Sequence, residues 1–246
     1  CTQTQQQQMF SSPNIVKLLL DEGADPYKCC PKLRYDAFIF ACCNHNVDNA
    51  AYWLKRFPKW DVNRQTRYDT TALMWVFLLP NSQENCVKMV SLLLSAGARL
   101  DIKNEFGFNP LHCAAYSWNI PIEAFNLMIK HVNGDKKILE MQVVPKYFYY
   151  NILWHIANWR IKKNSIGIED KTLEADKLHH LLYKVYFMCH VTIMHLAARR
   201  GDCELFDFLL KAGCDPNIRA RSGKTPTQLI TERTFGVNDL GRFSTT

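Results

Sequence analysis

The sequence predicts an all-α solenoid of about seven stacked helix pairs, the terminal ones incomplete, joined by short β-hairpin connections and interrupted by irregular inserted loops in the middle. Three observations lead there. The phrases NPLHCAA from Asn109, ILWHIAN from Ile152 and TIMHLAA from Thr192 repeat one pattern, with His112, His155 and His195 at the same place in each. A leucine-rich segment accompanies the phrase, as at Leu19/Leu20, Leu93/Leu94 and Leu209/Leu210. Gly23, Gly97 and Gly213 then follow those leucines closely. Identical neighbours imply identical structural jobs, so the three histidines are read as framework and not as a catalytic or metal center.

Taken in order, residues 1–13 are an N-terminal extension, 14–231 carry the repeats and 232–246 form a C-terminal tail of a single repeat domain. An incomplete unit supplies the helix around Ile15 to Leu20. Aligning the first residue of the phrase places later repeat origins at Asp36, Thr71, Asn109, Ile152, Thr192 and Thr225, with steps of 35, 38, 43, 40 and 33 residues. The last unit keeps only its first helix.

Each position has a chemical reason. The small pairs Ala114/Ala115 and Ala197/Ala198 let the first helix approach its neighbours, and Ala41/Cys42 and Ala157/Asn158 fill the same slots, which makes Cys42 an alanine substitute. The paired leucines share an apolar helical face with Val16, Val90 and Phe206 and are expected in the core. The glycines stand where a helix ends in a left-handed residue that lacks Cβ strain. Pro110 and Pro226 suit a first turn, whose amide has no helical acceptor.

The stretch from Thr192 to Ile230, with MHLAARRGD, FDFLLKAGCDPN and SGKTP, resembles the ankyrin repeat. VSLLLSAGARLDIKNEFGFNPLHCAAYS from Val90 and IVKLLLDEGADP from Ile15 carry further copies. The resemblance covers essentially the whole chain. It implies that the phrase histidines bond to neighbouring backbone, that the leucines are interior, and that hairpin tips and first-helix ends form a concave binding face.

The pattern also lapses. The repeat from Tyr35 has Pro58 and Lys59 in place of its glycine, and the repeat from Thr70 has Met74 in the histidine slot with about three additional residues around Pro80 to Gln83. The connection between Val132 and Tyr150 is about eight residues too long. Roughly a dozen more separate the two helices of a repeat between Arg160 and Thr172, while the hairpin before Thr192 shrinks to something like FMCHV. The Tyr147-Phe148-Tyr149-Tyr150 cluster reads either as an exposed aromatic hot spot or, the favoured reading, as buried packing over the irregular repeat, and Trp154, in a leucine slot, as core.

Composition bounds the class. At 48% hydrophobic and 22% charged the 246 residues can bury a sizeable core. The longest apolar stretch, Ala72 to Leu79, is far below the roughly 20 residues that span a bilayer, so a soluble protein without membrane insertion is expected. The chain opens at Cys1 and is expected to be part of a longer polypeptide. Ten cysteines without framework spacing, and the absence of an Asn-X-Ser/Thr sequon, point to free thiols and a cytoplasmic or nuclear location. Cys29/Cys30 and Cys42/Cys43 with His45, or His179/His180 with Cys189/His190, could be drawn as metal sites, but neither has C-x2-C spacing, and no metal or cofactor is expected. No phosphate loop, nucleophile elbow or zinc-protease helix supports catalysis.

Residues 1–123 hold 12 Lys/Arg against 11 Asp/Glu, whereas 124–246 hold 18 against 12, so the basic excess is C-terminal. The expected function is a non-catalytic scaffold or adaptor binding a partner protein, for which an acidic segment with apolar anchors is the matching chemistry. The alternative is a nucleic-acid-binding or ribonucleoprotein-associated subunit using the basic half. The partner-binding residues expected from the family geometry are Arg67, Tyr68, Glu105, Phe106, Tyr116, Ser117, Trp159, Arg160, Arg199, Arg200, Arg221 and Lys224.

Overall fold

Asp36 opens the first complete helix pair by turning its carboxylate onto the Ile39 N–H at 2.8 Å, which satisfies a donor that the helix itself leaves open. The same chemistry recurs along the chain. Asn109 Oδ1 accepts from the His112 N–H at 2.9 Å, and the Thr225 hydroxyl accepts from the Gln228 N–H at 3.2 Å while Gln228 Oε1 accepts from the Thr225 N–H. At Asp36, Asn109 and Thr225 the repeat origin therefore acts as a helix start through its side-chain oxygen.

A computed structural model describes residues 13–31, 34–78, 83–117, 120–147, 149, 152–153, 155–156 and 189–234. Among them are helices and no strands. The chain divides into two compact units, residues 1–104 with 109–133, and residues 105–108 with 134–246.

The first unit contains α1 (Pro13–Asp21), α2 (Ala37–Cys43), α3 (Val47–Arg56), α4 (Ala72–Leu78), α5 (Gln83–Ser95), α6 (Pro110–Tyr116) and α7 (Ile122–Val132). The first helices α2, α4 and α6 pack in succession, and the second helices α1, α3, α5 and α7 form a parallel layer behind them. Each repeat leans on its neighbours. Phe38, Ile39, Leu73, Met74, Leu93, Leu111, Phe125 and Met128 fill the space between the layers, and Cys42 is fully buried in its alanine slot. Gly97 ends α5 at φ 88°, the left-handed turn expected of it. Where Pro58 and Lys59 replace that glycine, Trp60 closes the repeat, stacking on Tyr27 at 5.1 Å and meeting Trp53 edge-on at 5.2 Å.

The second unit contains α8 (Lys136–Leu139), α9 (Ile193–Arg200), α10 (Cys203–Lys211) and α11 (Pro226–Thr234). Helix α9 packs against both α10 and α11. The surplus residues after Val132 form α8, a single turn capped by Asp135 through the Lys137 N–H at 2.9 Å, and bury Leu139. The insertion is thus folded.

The hairpins are closed by single backbone pairs, such as the Thr66 N–H to the Thr70 carbonyl at 2.9 Å and the Ala220 N–H to the Lys224 carbonyl at 3.0 Å.

Three expectations about packing need correction. Leu19 is 48% exposed and α1 buries no residue, because its principal contact is with α3 and no first helix of its own pair lies among the described residues. Leu210 is 45% exposed, whereas its neighbour Leu209 is fully buried, since α11 has no second helix after it among the described residues to cover the outer flank of α10. Tyr147 and Tyr149 are 42% and 49% exposed and stack on each other at 5.7 Å, so for these two the exposed reading replaces the favoured one of buried packing. Phe148, Tyr150 and Trp154 lie outside the described residues.

Candidate partner-binding surface

The framework histidines divide by the residue three positions earlier. His195 is fully buried; its Nδ1 accepts from the Thr192 N–H at 3.0 Å and its Nε2–H donates to the Lys224 carbonyl of the next hairpin at 3.2 Å. Burial pushes its pKa down to about 4. His112 is equally buried, its Nδ1 2.6 Å from Asn109 Oδ1. His155 departs from the expectation: it is exposed, and its Nε2 lies 3.4 Å from an Arg221 nitrogen. The residue three before it is Ile152, which has no oxygen to close the cap. His45 is occupied as well, its Nε2 2.6 Å from the Val76 carbonyl, and Cys42 and Cys43 are buried with thiols raised by desolvation. Among the described residues no group of three or more His, Cys, Asp and Glu could hold a metal ion, and no helix is long and apolar enough to cross a membrane.

In the first unit the expected residues Arg67, Tyr68, Tyr116 and Ser117 are described. Tyr68 and Asp69 take left-handed φ angles of 68° and 56°, which turns the hairpin tip sharply, and the Arg67 guanidinium lies 5.2 Å above the Tyr68 ring. Tyr116 is exposed at the end of α6. Ser117 instead donates its hydroxyl to the Phe77 carbonyl and ties α6 to α4. Sequence reasoning missed Leu78, which occupies in α4 the slot that Tyr116 occupies in the adjacent α6, seven residues after the repeat origin; both are exposed. Aligning that slot across repeats would have found it.

In the second unit, Glu105 and Phe106 form a hairpin tip, with Phe106 exposed and the Glu105 carbonyl accepting from the Lys146 N–H at 2.9 Å. Gly107 has φ 84°, and a Cβ there would stand 2.4 Å from the Val144 carbonyl oxygen, so the backbones touch. Arg200 turns to Asp202 at 3.1 Å and is largely buried, and Lys224 pairs with Glu232 at 2.7 Å. Arg199 is half-buried beside His195, and Arg221 reaches both His155 and Cys189, whose thiol is raised by burial and partly lowered by that guanidinium. Trp159 and Arg160 lie outside the described residues, as does the insertion at 160–172.

Comparison with known proteins agrees with the helix pairing. The family described as ankyrin repeats (3 copies) matches residues 8–104, and the family described as ankyrin repeats (many copies) matches residues 189–230. No curated protein matches the chain. With the same repeat matched at both ends, and with its helix pairs, capped starts and glycine stops in place, the chain belongs to the ankyrin-repeat family.

Proposed function

We propose that this chain is a non-catalytic scaffold or adaptor that binds a partner protein through its hairpin tips and first-helix ends. The observation that carries the reading is the pair Leu78 and Tyr116: one repeat slot on two adjacent helices presents large apolar side chains to solvent, although the stack buries the rest of those helices almost completely. With Arg67 and Tyr68 at the preceding tip, the first unit offers the aromatic, apolar and guanidinium groups that anchor protein interfaces. Arg199 and Arg221 in the second unit add positive charge suited to an acidic segment, and charge of this kind acts mainly on association rate and specificity.

Nucleic acid is the weaker alternative. Much of the C-terminal positive charge is engaged within the fold: Arg200 with Asp202, Lys224 with Glu232, and Arg219 with the Gly223 carbonyl at 2.8 Å.

Capture from the native source with wild-type protein and with the Leu78→Ala/Tyr116→Ala variant, each with and without nuclease, tests the proposal. A protein retained by the wild type through nuclease treatment and lost by the variant is expected. Identical captures with both proteins, or captures abolished by nuclease, would overturn it.

A further inference from the structure

The inserted segment after α8 runs beside hairpins of its own unit, and its contacts show what it places together. Val143 exchanges backbone bonds with the turn before α9: its N–H donates to the Val191 carbonyl at 2.9 Å, and its carbonyl accepts from the His190 N–H at 2.7 Å. Gln142 Nε2 donates to the Arg219 carbonyl at 3.0 Å, which ties the segment to the last hairpin. On the other flank, Val144 presses its backbone against Gly107, and Lys146 is fixed to Glu105. The segment is held from both sides.

Four apolar side chains remain exposed along this run, Phe106, Val144, Tyr147 and Tyr149. Cations border them. The Lys146 ammonium lies 5.8 Å from the Tyr147 ring centroid, and the Arg221 N–H donates to the Cys189 carbonyl at 3.3 Å, which places Arg221 next to the turn that pairs with Val143. Glu105 is the acidic residue at this tip, and its backbone is already engaged. An apolar strip with a cationic border is complementary to a peptide of opposite composition.

We propose that the inserted residues 141–147 with Tyr149 and the Phe106 tip form a docking surface for an acidic peptide carrying aliphatic or aromatic anchors. This inference rests on reading the chain as a protein-binding module and names the element and the partner chemistry. The two tyrosines favour a peptide over a nucleic-acid strand: each gives one ring face to the other, and the Lys146 ammonium lies over Tyr147, which reduces the ring surface open to base stacking. Anchoring side chains would pack against Val144 and Phe106, while carboxylates meet Lys146 and Arg221.

Fluorescence anisotropy with the full chain tests this. The probes are a fluorescein-labelled Asp/Glu-rich peptide with Leu and Phe anchors, a peptide of equal charge with serine at the anchor positions, and a labelled oligothymidylate. The anchored peptide is expected to bind, the serine peptide at least about tenfold more weakly, and Tyr147→Ala/Tyr149→Ala to lose about tenfold or more. Lys146→Glu, an exposed charge reversal with little bearing on folding, should slow association most at low salt. Absence of binding by the anchored peptide to the wild type, unchanged affinity in both variants, or tyrosine-dependent binding of the oligothymidylate instead would overturn the inference. Loss of peptide affinity on Leu78→Ala/Tyr116→Ala but not on Tyr147→Ala/Tyr149→Ala would reject this surface and leave the proposed function standing.

Discussion

Acid should weaken the second unit through His195, and the size of the effect follows from its surroundings. The ring is fully buried, accepts at Nδ1 from the Thr192 N–H, and donates from Nε2 to the Lys224 carbonyl, so the folded state holds the neutral Nε2–H tautomer. A second proton on Nδ1 would displace a backbone donor and place a charge where water does not reach it. The pKa accordingly falls from 6.5 to about 4. Between those values the unfolded chain binds more protons than the folded one, so stability rises with pH there. The contribution is fully present above about pH 6.5, declines as pH falls, and is gone near pH 4. Its full size is roughly 3 kcal/mol, at about 1.4 kcal/mol for each pH unit of difference.

The variant that isolates it is His195→Gln. Gln228 shows that glutamine fits this slot, its Oε1 accepting from the Thr225 N–H at 3.0 Å, so the variant keeps the cap and loses the titration. At pH 7 it should be less stable by about 1 kcal/mol, for the lost bond to the next hairpin. On acidification the wild type weakens faster, and the two stabilities should cross near roughly pH 6. Urea unfolding followed by circular dichroism from pH 7 to 4 measures this, and the difference between the proteins cancels His45, His112, His190 and the carboxylates. A difference independent of pH across that range would refute the reasoning, as would a His195 ring that titrates by NMR near its ordinary value.

Adjacent leucines should behave oppositely: Leu209→Ala should cost about 2 to 5 kcal/mol through a cavity, whereas Leu210→Ala, at an exposed site, should change stability by less than about 0.5, both read from denaturant midpoints. Thr71→Val should be neutral or stabilising, because the buried Thr71 hydroxyl has no hydrogen-bond partner among the described residues, while Asn109→Ala should cost about 0.5 to 2 kcal/mol through its lost cap; equal losses would contradict the capping assignment. Gly107→Ala should lower the melting temperature more than Gly97→Ala, since both have positive φ but only the first meets backbone, at 2.4 Å. Cys30 and Cys203, both exposed, should alkylate in the native protein, whereas Cys42 and Cys113, buried and with Cys113 pushed up to about 12, should react only on unfolding.

The fold was legible wherever one residue type has one physical task. Asp36, Asn109, Thr192 and Thr225 were readable as a register because a helix start needs a side-chain oxygen, and Gly97 because a left-handed stop disfavours a Cβ. Legibility failed where the task depends on what lies alongside. Leu19 and Leu210 match the core pattern as well as Leu93 does, yet burial requires a neighbouring helix on each flank, and no pattern within the helix records whether it is there. His155 shows the converse: the phrase matches at its histidine, yet Ile152 three residues earlier offers no side-chain oxygen for the cap, and the ring is exposed. The insertion hid α8 for a third reason: four residues are too few to display a helical period, and only Asp135 before them hints at a start.

The candidate surface was half legible, and the boundary falls between two consecutive slots at the end of the first helix. The slot seven residues after the origin holds Cys43, Leu78, Tyr116, Trp159, Arg199 and Glu232, a variety that the stack does not dictate where that side chain reaches solvent, as at Leu78 and Tyr116. The next slot stands where the helix stops and its polar groups need partners. There Ser117 bonds to the Phe77 carbonyl and Arg200 pairs with Asp202, so both belong to the framework although their residue types suit a partner surface. A contact surface in this chain is therefore to be sought in slots that repeat in position but not in chemistry, and Leu78 with Tyr116 meets that test better than Ser117 or Arg200. Replacing Arg200 should accordingly lower stability by loosening the turn before α10, whereas replacing Tyr116 should leave stability nearly unchanged and weaken partner binding. Thermal melts of Arg200→Ala and Tyr116→Ala, set beside the captures with each variant, decide between the two roles; a destabilised Tyr116→Ala with intact binding would assign that slot to the framework as well.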